Sequence, residues 1–331
     1  MMTEAKLDQL SVVFRNVEAE IGATEMVRMS LRVIIDVVKN FEAKDVDDFL
    51  AQFREMVCMI KQTKPRIALM IYYICELWDR LMEFEGGLKS VEEIIGILEN
   101  NVDLLIKETE IDGRKLVENG VACIDDKDTI LVHSHSKVVL KTLNEAWKAG
   151  KQFRVVVAEQ NEEKTTDIIT FLQENKVPFT VVPEYMLSHV EKEVTKLFLG
   201  CITFTDDYEF VTDAGTSSVV SEFHHADIPV YMFVSTKKFS LWKGTVKHHT
   251  HKMVQKKVHT SSKEVLTYER IKFSHDRVAM RLVDKVVTEE GLGSPDKVKD
   301  LYDQRFEEYK QWRDRHMTDQ EIENSELDQV E

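Results

Sequence analysis

The sequence predicts an α/β protein in which a helical N-terminal domain precedes a Rossmann-like, doubly wound parallel sheet domain. Up to about residue 101 the apolar residues recur at the three- and four-residue spacing of amphipathic helices. After Gly120, short β-branched runs alternate with helical stretches, which is the pattern of a parallel sheet with crossover helices. The predicted strands are residues 129–133, 153–158, 179–182, 196–203 and 230–234. They are too few for a closed eight-stranded barrel, so an open sheet is predicted.

The predicted helices complete the domain organisation. Between the strands they lie at residues 137–150, 165–176, 185–194 and 216–226, and two more follow at 277–289 and 294–312. A long helix at 91–119 ends the helical N-terminal domain, which is assigned to 1–119. The Rossmann-like domain is assigned to 120–316, and the acidic residues 317–331 are predicted to be disordered. The lysine- and histidine-rich stretch at 239–270 is expected to be an excursion from the sheet.

Charge and composition narrow the functional classes before any motif is considered. The 331 residues include 59 acidic and 44 basic side chains, a formal charge of −15, so the average surface repels polyphosphate and direct nucleic-acid binding is not expected. The four cysteines show no CxxC spacing, which fits a reducing compartment. Neither a leader sequence nor a long apolar span is found. The composition therefore predicts a cytoplasmic protein that does not bind membranes.

The segment from His133 to Lys137, HSHSK, is the most informative part of the sequence. It lies outside the carboxyl end of a predicted strand, where open α/β sheets bind ligands. Backbone N–H groups, the hydroxyls of Ser134 and Ser136, and the Lys137 ammonium can converge there on one phosphate. Spacing leaves a second interpretation equally open, in which Ser136 is only a helix N-cap. At a strand end His133 is more often a hydrogen-bonded structural histidine than a catalyst.

A second loop of the same kind, from Thr212 to Thr216, also precedes a predicted helix. Its Gly215 permits either a tight turn or the close approach of a ligand, while Asp213 disfavours a phosphate there. The run from Lys247 to His251, KHHTH, is interpreted as an exposed loop, because adjacent histidines seldom reach one zinc ion. Dinucleotide-binding, P-loop and GxSxG motifs are not found. No metal and no cofactor are predicted.

Both loops and their flanking segments resemble the translation initiation factor 2B α/β/δ family, with the α-subunit-like and archaeal branch most similar. That family also includes archaeal ribose-1,5-bisphosphate isomerases and methylthioribose-1-phosphate isomerases. The resemblance covers most of the chain and includes the segments HSHSKVVLKTLNEAWKAGKQFRVVVAEQ, LFLGCITFTDDYEFVTDAGT, IPVYMFVSTKKF and VDKVVTEEGLGSP. It implies the fold predicted above, a pocket for a sugar phosphate or a nucleoside monophosphate, and a homodimer.

The resemblance also locates the catalytic positions of the isomerases, and both are replaced in this chain. Ser134 stands where the isomerases have a cysteine that acts in proton transfer, and a hydroxyl without an adjacent base keeps its proton far more firmly than a thiol. Ile202 stands at the position of their catalytic aspartate and cannot exchange a proton. His135 replaces an asparagine, whereas His133, Ser136 and Lys137 match.

The resemblance also implies that further positions of this chain contact a ligand. Gly22 and Ala23 resemble a phosphate loop without its arginine, and Asp213 replaces the lysine of another phosphate loop. Glu159 corresponds to a carboxylate that follows the second strand, and Lys238 belongs to the KF pair of the regulatory subunits. The implied ligand-binding residues are Gly22, Ala23, Lys64, His133, Ser134, Ser136, Lys137, Glu159, Thr212, Gly215, Thr216 and Lys238.

The sequence leaves three functions open. Loss of both catalytic groups favours a non-catalytic regulatory or scaffold protein with a vestigial sugar-phosphate pocket, whose partners would be initiation-factor subunits. The alternative is an aldose–ketose isomerase of the ribose-1,5-bisphosphate type, in which His133, His135 and Glu159 supply the acid and the base. A ligand-binding protein outside translation is the third, because fold resemblance does not decide function.

Overall fold

The computed structural model describes residues 13, 17, 21–63, 66–84, 86–160, 162–242, 251–259, 265–273 and 275–316. The described residues divide into two compact units. A helical unit lies within Met1–Leu116 and also takes in Ser235–Phe239, and an α/β unit lies within Val117–Val234 and Ser240–Glu331. The predicted acidic tail at 317–331 lies outside the described residues.

The helical unit is built from amphipathic helices, as the apolar spacing predicts. They are α1 at Ala23–Val38, α2 at Val46–Lys61, α3 at Ala68–Met82 and α4 at Val91–Val121, the last of which continues into the α/β unit. The carboxylate of Asp45 accepts the backbone N–H of Asp48 at 2.9 Å and so caps α2. Most side chains of α3 are buried, because this helix packs against both α1 and α2. None of the described helices is long and apolar enough to cross a membrane.

Strands and crossover helices alternate in the α/β unit. The strands are β1 Thr129–His133, β2 Arg154–Glu159, β3 Phe179–Pro183, β4 Lys196–Gly200, β5 Thr203–Phe204, β6 Glu209–Asp213, β7 Val230–Phe233, β8 His251–His259, β9 Val265–Phe273, β10 His275–Ala279, β11 Lys285–Thr288 and β12 Gly291–Gly293. The helices are α5 Lys137–Lys148, α6 Glu162–Glu174, α7 Thr216–His225 and α8 Pro295–His316. Four of the five residues of β4 and all of β1 are buried, as expected for strands covered on both faces.

The main sheet has the strand order β12-β11-β7-β4-β1-β2-β3 among the described residues. Every pairing is parallel except that between β11 and β12. From β1 the chain adds β2 and then β3 on one side of the sheet. From β4 it adds β7, β11 and β12 on the other side, so the strand order reverses between β1 and β4. This is the Rossmann-type topology, and the predicted fold class is confirmed.

Two smaller sheets accompany the main one. The strands β5, β6 and β10 form an antiparallel sheet, in which Phe210 pairs with both Phe204 and Val278 and all three side chains are buried. The strands β8 and β9 pair with each other over nine residues, from His251 opposite Phe273 to His259 opposite Val265. We refer to β8 and β9 together as the ribbon.

Two predicted helices are wrong. Residues 277–289 form most of β10, a 3-10 turn and β11, and the side chains of Val278, Val286 and Val287 are buried. Pairing of β10 with β6 and of β11 with β7 and β12 outweighs the local helical spacing. Residues 185–194 fall in two 3-10 helices, Glu184–His189 and Glu191–Glu193. Leu187 is the buried side chain of these short helices, and so little apolar surface does not support a longer α-helix.

Candidate functional site

The reversal of strand order places the candidate site at the carboxyl ends of β1 and β4. Open α/β sheets bind ligands in the crevice that such a reversal creates, because the crossover connections on either side diverge there. His133 is the last residue of β1, and Gly200 is the last residue of β4. The two residues that follow Gly200, Cys201 and Ile202, are buried and half-buried respectively.

His133 is buried in a network of polar side chains. Its side chain is inaccessible to solvent, and Gln160 Nε2 lies 2.9 Å from His133 Nε2. Thr216 Oγ1 lies 3.1 Å from His133 Nδ1, and Glu184 Oε2 lies 3.4 Å from His133 Nε2. Both ring nitrogens therefore have polar partners from other loops. The structural interpretation of His133 raised by the sequence is the one that these contacts favour.

The partners of His133 restrict the hydrogen-bonding roles of its two ring nitrogens. Thr216 Oγ1 donates its hydrogen to Asp213 O at 2.7 Å, so it can only accept from His133 Nδ1. Gln160 Nε2 donates one hydrogen to Ala214 O at 3.2 Å and offers the other to His133 Nε2. The contact with Thr216 favours a proton on Nδ1 of the neutral imidazole. Glu184 Oε2, 3.4 Å from Nε2, would in turn accept a proton carried on that nitrogen.

The first loop approaches β4 closely. Ser136 caps α5, and its hydroxyl accepts the backbone N–H of Val139 at 3.5 Å, while Lys137 begins the helix and is exposed. A Cβ added to Gly200 would overlap the Cβ and Oγ of Ser136. Ser134 is buried and has a φ of 72°, a conformation that costs free energy for a residue with a Cβ.

The second loop presents its backbone donors to a carboxylate of the same chain. Asp276, in β10, accepts the backbone N–H of Gly215 at 2.9 Å and that of Ser217 at 2.9 Å on one oxygen, Oδ2. The hydroxyl of Ser217 donates to the same oxygen at 2.8 Å. These groups form the N-terminus of α7, which is where a helix binds an anion. Asp276 thus occupies the position that a ligand phosphate would take at this helix.

Asp213 and Thr212, neighbours in this loop, differ in whether their polar atoms have partners. Asp213 pairs with Lys164, with Oδ1 and Nζ 2.7 Å apart. Thr212 is fully buried, and its hydroxyl has no hydrogen-bond partner within the described part of the chain. The lysine that could neutralise a ligand at this loop is therefore already engaged by Asp213.

An open cleft of about 680 Å³ lies beside the network and is lined by acidic side chains. Its lining includes Glu159, Glu184 and Glu222 together with Gln160 and the exposed Tyr185. Glu184 also faces the second loop, since a Cβ at Gly215 would lie 2.8 Å from its Oε1. Three carboxylates along one cleft disfavour an anionic ligand through charge repulsion.

The remaining predicted ligand residues belong to the helical unit or lie outside the described residues. Gly22 precedes α1 with a φ of 79°, and Ala23 begins that helix. Lys238 lies in Ser235–Phe239, within the segment that the helical unit takes in. Lys64 lies outside the described residues, as do the side chains of the KHHTH run. In the rest of the chain, three or more histidine, cysteine, aspartate or glutamate side chains nowhere converge as metal ligands would.

Lys237, the residue before the KF pair, is half-buried and has a carboxylate partner. Its ammonium lies 2.5 Å from Asp112 Oδ2, and its side chain is 15% exposed. The same ammonium lies 5.4 Å from the centre of the Tyr72 ring and 5.3 Å from that of Tyr73, within the range of cation–π interactions. Tyr73 in turn hydrogen-bonds Thr109 at 2.7 Å.

Sequence reasoning missed Gln160, Glu184 and Asp276, although all three contact the predicted loops. Gln160 follows β2 directly, so its position at the same edge of the sheet as His133 could have been inferred from the strand order. Glu184 follows β3 in the same way. Asp276 lies about sixty residues from the loop that it caps, and no local pattern connects the two.

His135 gives a pH-dependence that can be measured. Burial lowers the pKa of His135 below its ordinary value of 6.5, with Asp167 opposing and Lys137 adding to the shift. Between that lowered pKa and 6.5 the unfolded chain binds a proton that the folded chain does not, so stability falls as the pH drops through this window. We expect His135→Gln to flatten the pH-dependence of the free energy of unfolding below pH 6.5, measured by urea denaturation at several pH values. An unchanged slope would contradict the burial of this imidazole.

Fold and site together define an α/β protein with a Rossmann-type sheet, a separate helical unit and a polar site at the reversal of strand order. The sequence model of the initiation factor 2 subunit family matches residues 19–295, and the chain belongs to this family. The resemblance inferred from the two loops is thereby confirmed at the level of the family.

Relatives of several kinds are similar to this chain. The translation initiation factor eIF2B subunit delta of Schizosaccharomyces pombe is 32% identical over 146 residues, 44% of this chain and 31% of that protein. The ribose 1,5-bisphosphate isomerase of Thermococcus kodakarensis is 20% identical over 316 residues, 90% of this chain and 94% of that protein. The crystal structure of the tetrameric eIF2B-beta2-delta2 complex from C. thermophilum includes a chain with a TM-score of 0.67 and 15% identity. That match covers 91% of this chain and 94% of the other.

The sequence matches differ in extent. The first three curated relatives are matched over only 49%, 31% and 34% of their own length. The isomerase is matched almost from end to end, at lower identity. Family membership and fold follow from these comparisons, whereas the activity of this chain has to be argued from its own site.

Proposed function

We propose that the chain is a non-catalytic member of the initiation factor 2 subunit family, acting as a regulatory or scaffold subunit with a vestigial sugar-phosphate pocket. The observation that carries this proposal is the position of Asp276, whose Oδ2 accepts three hydrogen bonds from the N-terminus of α7. In this proposal the protein works in the cytoplasm, forms a homodimer and binds other initiation-factor subunits. The tetrameric subunit complex of C. thermophilum supports the last point by analogy.

In this proposal the chain has lost the phosphate site of the family. A phosphate bound at α7 would have to displace the Asp276 carboxylate and leave it without its three donors. It would also approach Asp213, which replaces the lysine of the family's phosphate loop, and the carboxylates of Glu159 and Glu184 in the cleft. Each of these changes lowers the affinity for an anion.

In this proposal the chain has also lost the groups that transfer protons. An aldose–ketose conversion needs an acid and a base that can reach adjacent carbons of the substrate. Ser134 and Ile202 stand at the two positions where the isomerases carry these groups. His133 is buried, and both of its ring nitrogens lie within hydrogen-bond distance of side chains of this chain, so it is poorly placed to reach a substrate.

The isomerase remains a second candidate because of two observations. The Thermococcus kodakarensis enzyme is matched over 94% of its length, and the cleft holds carboxylates close to a histidine. In that candidate His133, His135 and Glu159 supply the proton transfers, with Glu184 3.4 Å from His133 Nε2. It would require two independent replacements to be compensated by other side chains.

The proposed function is tested by assaying the whole chain with ribose 1,5-bisphosphate and other sugar phosphates in coupled isomerase assays. We expect no turnover with any of them. Pull-down from the native cell is expected to recover initiation-factor subunits. Turnover that Glu159→Gln abolishes would overturn the proposal in favour of the isomerase, and a pull-down without such subunits would overturn the regulatory role.

Asp276→Ala provides a direct test of the occupied helix N-terminus. We expect the variant to lose about 1 kcal/mol of stability, as when a helix cap is removed. We also expect inorganic phosphate to raise its melting temperature, an effect that the wild type lacks, because the freed N–H groups can donate hydrogen bonds to an anion. The measurement is the melting temperature as a function of phosphate concentration at constant ionic strength.

Asp284→Ala is the matched control for this test. Asp284 also accepts a backbone N–H, that of Val230 at 2.8 Å, but it does so at the start of a strand rather than at a helix. Its removal is expected to leave the phosphate response of the wild type unchanged. If Asp276→Ala and Asp284→Ala respond alike to phosphate, the N-terminus of α7 is not an anion site.

A further inference from the structure

The acidic cleft beside the His133 network carries more negative charge than the described residues neutralise. Its three carboxylates are those of Glu159, Glu184 and Glu222, and no lysine or arginine of the described chain lines it. Glu159 and Glu222 form no ion pair with another described residue. Glu184 has the His133 imidazole, 3.4 Å away, as its ionic partner. Carboxylates without counter-charges in one cleft attract a cation.

The fold keeps these carboxylates apart. Glu159 is the last residue of β2 and Glu184 directly follows β3, and the two strands are parallel neighbours with Glu159 opposite Pro183. Glu222 lies on α7, one turn after Val219. Among the described residues, nowhere do three such side chains converge closely enough to hold a metal ion. The cleft therefore suits a ligand with several separated cationic groups better than a single ion.

The walls between the carboxylates are partly apolar. Pro183 and Val219 line the cleft, and so does Tyr185, which is 83% exposed. Methylene groups gain free energy when they pack on such surfaces, and the face of an aromatic ring attracts a cation. The cleft volume of about 680 Å³ is in the range of small-molecule sites. An aliphatic chain that bears amino groups matches both the charge and the walls.

Gln160, which also lines the cleft, has a buried acceptor without a partner. Its Nε2 donates to Ala214 O at 3.2 Å and lies 2.9 Å from His133 Nε2, so these contacts orient the amide. The Oε1 of the same amide is buried and has no hydrogen-bond partner within the described part of the chain. A buried acceptor in that state costs free energy. An N–H group of a bound ligand is the donor that it lacks.

We propose that this cleft binds an aliphatic polyamine, a linear molecule with two or more ammonium groups separated by methylene segments. The ammonium groups pair with the carboxylates of Glu159, Glu184 and Glu222. The methylene segments lie against Pro183 and Val219. The inference goes beyond the proposed function and does not depend on it, because neither the isomerase assays nor the pull-down involves this ligand.

A basic peptide is the less favoured occupant of the cleft. Each lysine side chain carries a single ammonium at the end of its own chain, so a peptide would have to bring several side chains into the same cleft. A linear polyamine places several ammonium groups along one chain, which suits three carboxylates distributed along one cleft. It also loses less conformational freedom on binding than a disordered peptide, which has to order its backbone as well.

The test measures binding of spermidine to the whole chain by isothermal titration calorimetry at physiological ionic strength. The cleft variant is Glu159→Gln with Glu222→Gln. Tyr185→Ala is a second variant, and the exposure of this side chain makes loss of the fold unlikely to interfere. The matched control is Glu118→Gln with Glu174→Gln, which changes the net charge equally at two exposed positions outside the cleft. Circular dichroism checks the fold of each variant.

We expect spermidine to bind the wild type with a stoichiometry of one. The cleft variant is expected to bind about twenty-five times more weakly, about fivefold for each carboxylate, equivalent to about 1 kcal/mol each. Tyr185→Ala is expected to weaken binding by about threefold. The control is expected to change the dissociation constant by less than about twofold, because screening reduces the effect of distant charges. Magnesium chloride at matched ionic strength is expected not to displace spermidine.

Four results would overturn the proposal. The first is a wild type that shows no saturable binding of spermidine. The second is a control variant that loses as much affinity as the cleft variant, since binding would then follow the net charge of the chain alone. Displacement of spermidine by an equal concentration of magnesium is the third. The fourth is a lysine-rich peptide that binds through Glu159 and Glu222 when spermidine does not, which would assign the cleft to a peptide.

Discussion

Replacing Gly200 with alanine is expected to lower the free energy of unfolding by about 3 kcal/mol, the cost of overfilling a tightly packed position. The added Cβ would overlap the Cβ and Oγ of Ser136. Ser136 cannot move aside easily, since its Cβ is fixed by the backbone at the start of α5. Urea denaturation followed by circular dichroism gives the change in midpoint and in free energy.

Two further variants make this prediction specific. Gly113→Ala adds a Cβ that meets nothing within 4 Å in the middle of α4, so it is expected to stabilise the chain by up to about 1 kcal/mol. Adding Ser136→Gly to Gly200→Ala removes the overlapping atoms and is expected to recover most of the loss, because glycine replaces a capping serine at a cost of only a few tenths of a kcal/mol. If the double variant is no more stable than Gly200→Ala, the contact with Ser136 is not the cause.

Lys237→Met is expected to destabilise the helical unit by about 2 kcal/mol. The substitution keeps the length of the side chain but leaves the Asp112 carboxylate, 22% exposed, without its counter-charge, and such a loss is large when the pair is mostly buried. It also removes the cation over the rings of Tyr72 and Tyr73. The measurement is the difference in the free energy of unfolding between wild type and variant at neutral pH.

The pH-dependence of this difference provides a second check. Burial alone would lower the pKa of Lys237, but Tyr73, Asp112 and Tyr72 outweigh it, and the pKa is raised above its ordinary value of 10.5. The stabilisation by the ammonium is therefore fully present below the ordinary pKa of 10.5 and is lost only as the pH rises through the folded pKa. We expect the difference in the free energy of unfolding between wild type and Lys237→Met to be the same at mildly acidic and mildly alkaline pH.

Lys39→Met is the matched control, because Lys39 pairs with Glu99 at the same distance of 2.5 Å but on an exposed surface. We expect this control variant to be as stable as the wild type. A difference that disappears already at mildly alkaline pH would contradict the assigned role of Lys237.

Much of the architecture could be predicted because its cause is local. Strands β1 and β2 are runs of β-branched and apolar residues, and α5 shows its N-cap serine directly in the sequence. The same reasoning failed at residues 277–289, where Val278, Val286 and Val287 have a spacing that suits either a helix or two strands. The pairing of these residues with distant strands decided the outcome, and single-sequence periodicity contains no information about such pairing.

The candidate site could be predicted in position but not in composition. His133 and the loop at Thr212 to Thr216 follow from the rule that ligands bind outside the carboxyl ends of the strands. Asp276 could not be predicted, because its contact with Gly215 depends on the antiparallel pairing of β10 with β6, in which Asp276 lies opposite Thr212. The carboxylate that accepts the backbone N–H groups of this loop is thus contributed by a strand that was not predicted from the sequence.

The helical unit is discontinuous along the chain, and this has a practical consequence for expressing it alone. A fragment that ends at Leu116 would omit Ser235–Phe239 and with it the ammonium that balances Asp112. The Asp112 carboxylate would then lack its counter-charge, and apolar surface near Tyr72 and Tyr73 would be exposed to solvent. Poor folding of such a truncation would accordingly reflect a missing pentapeptide, and fusing that peptide through a flexible linker should rescue its yield.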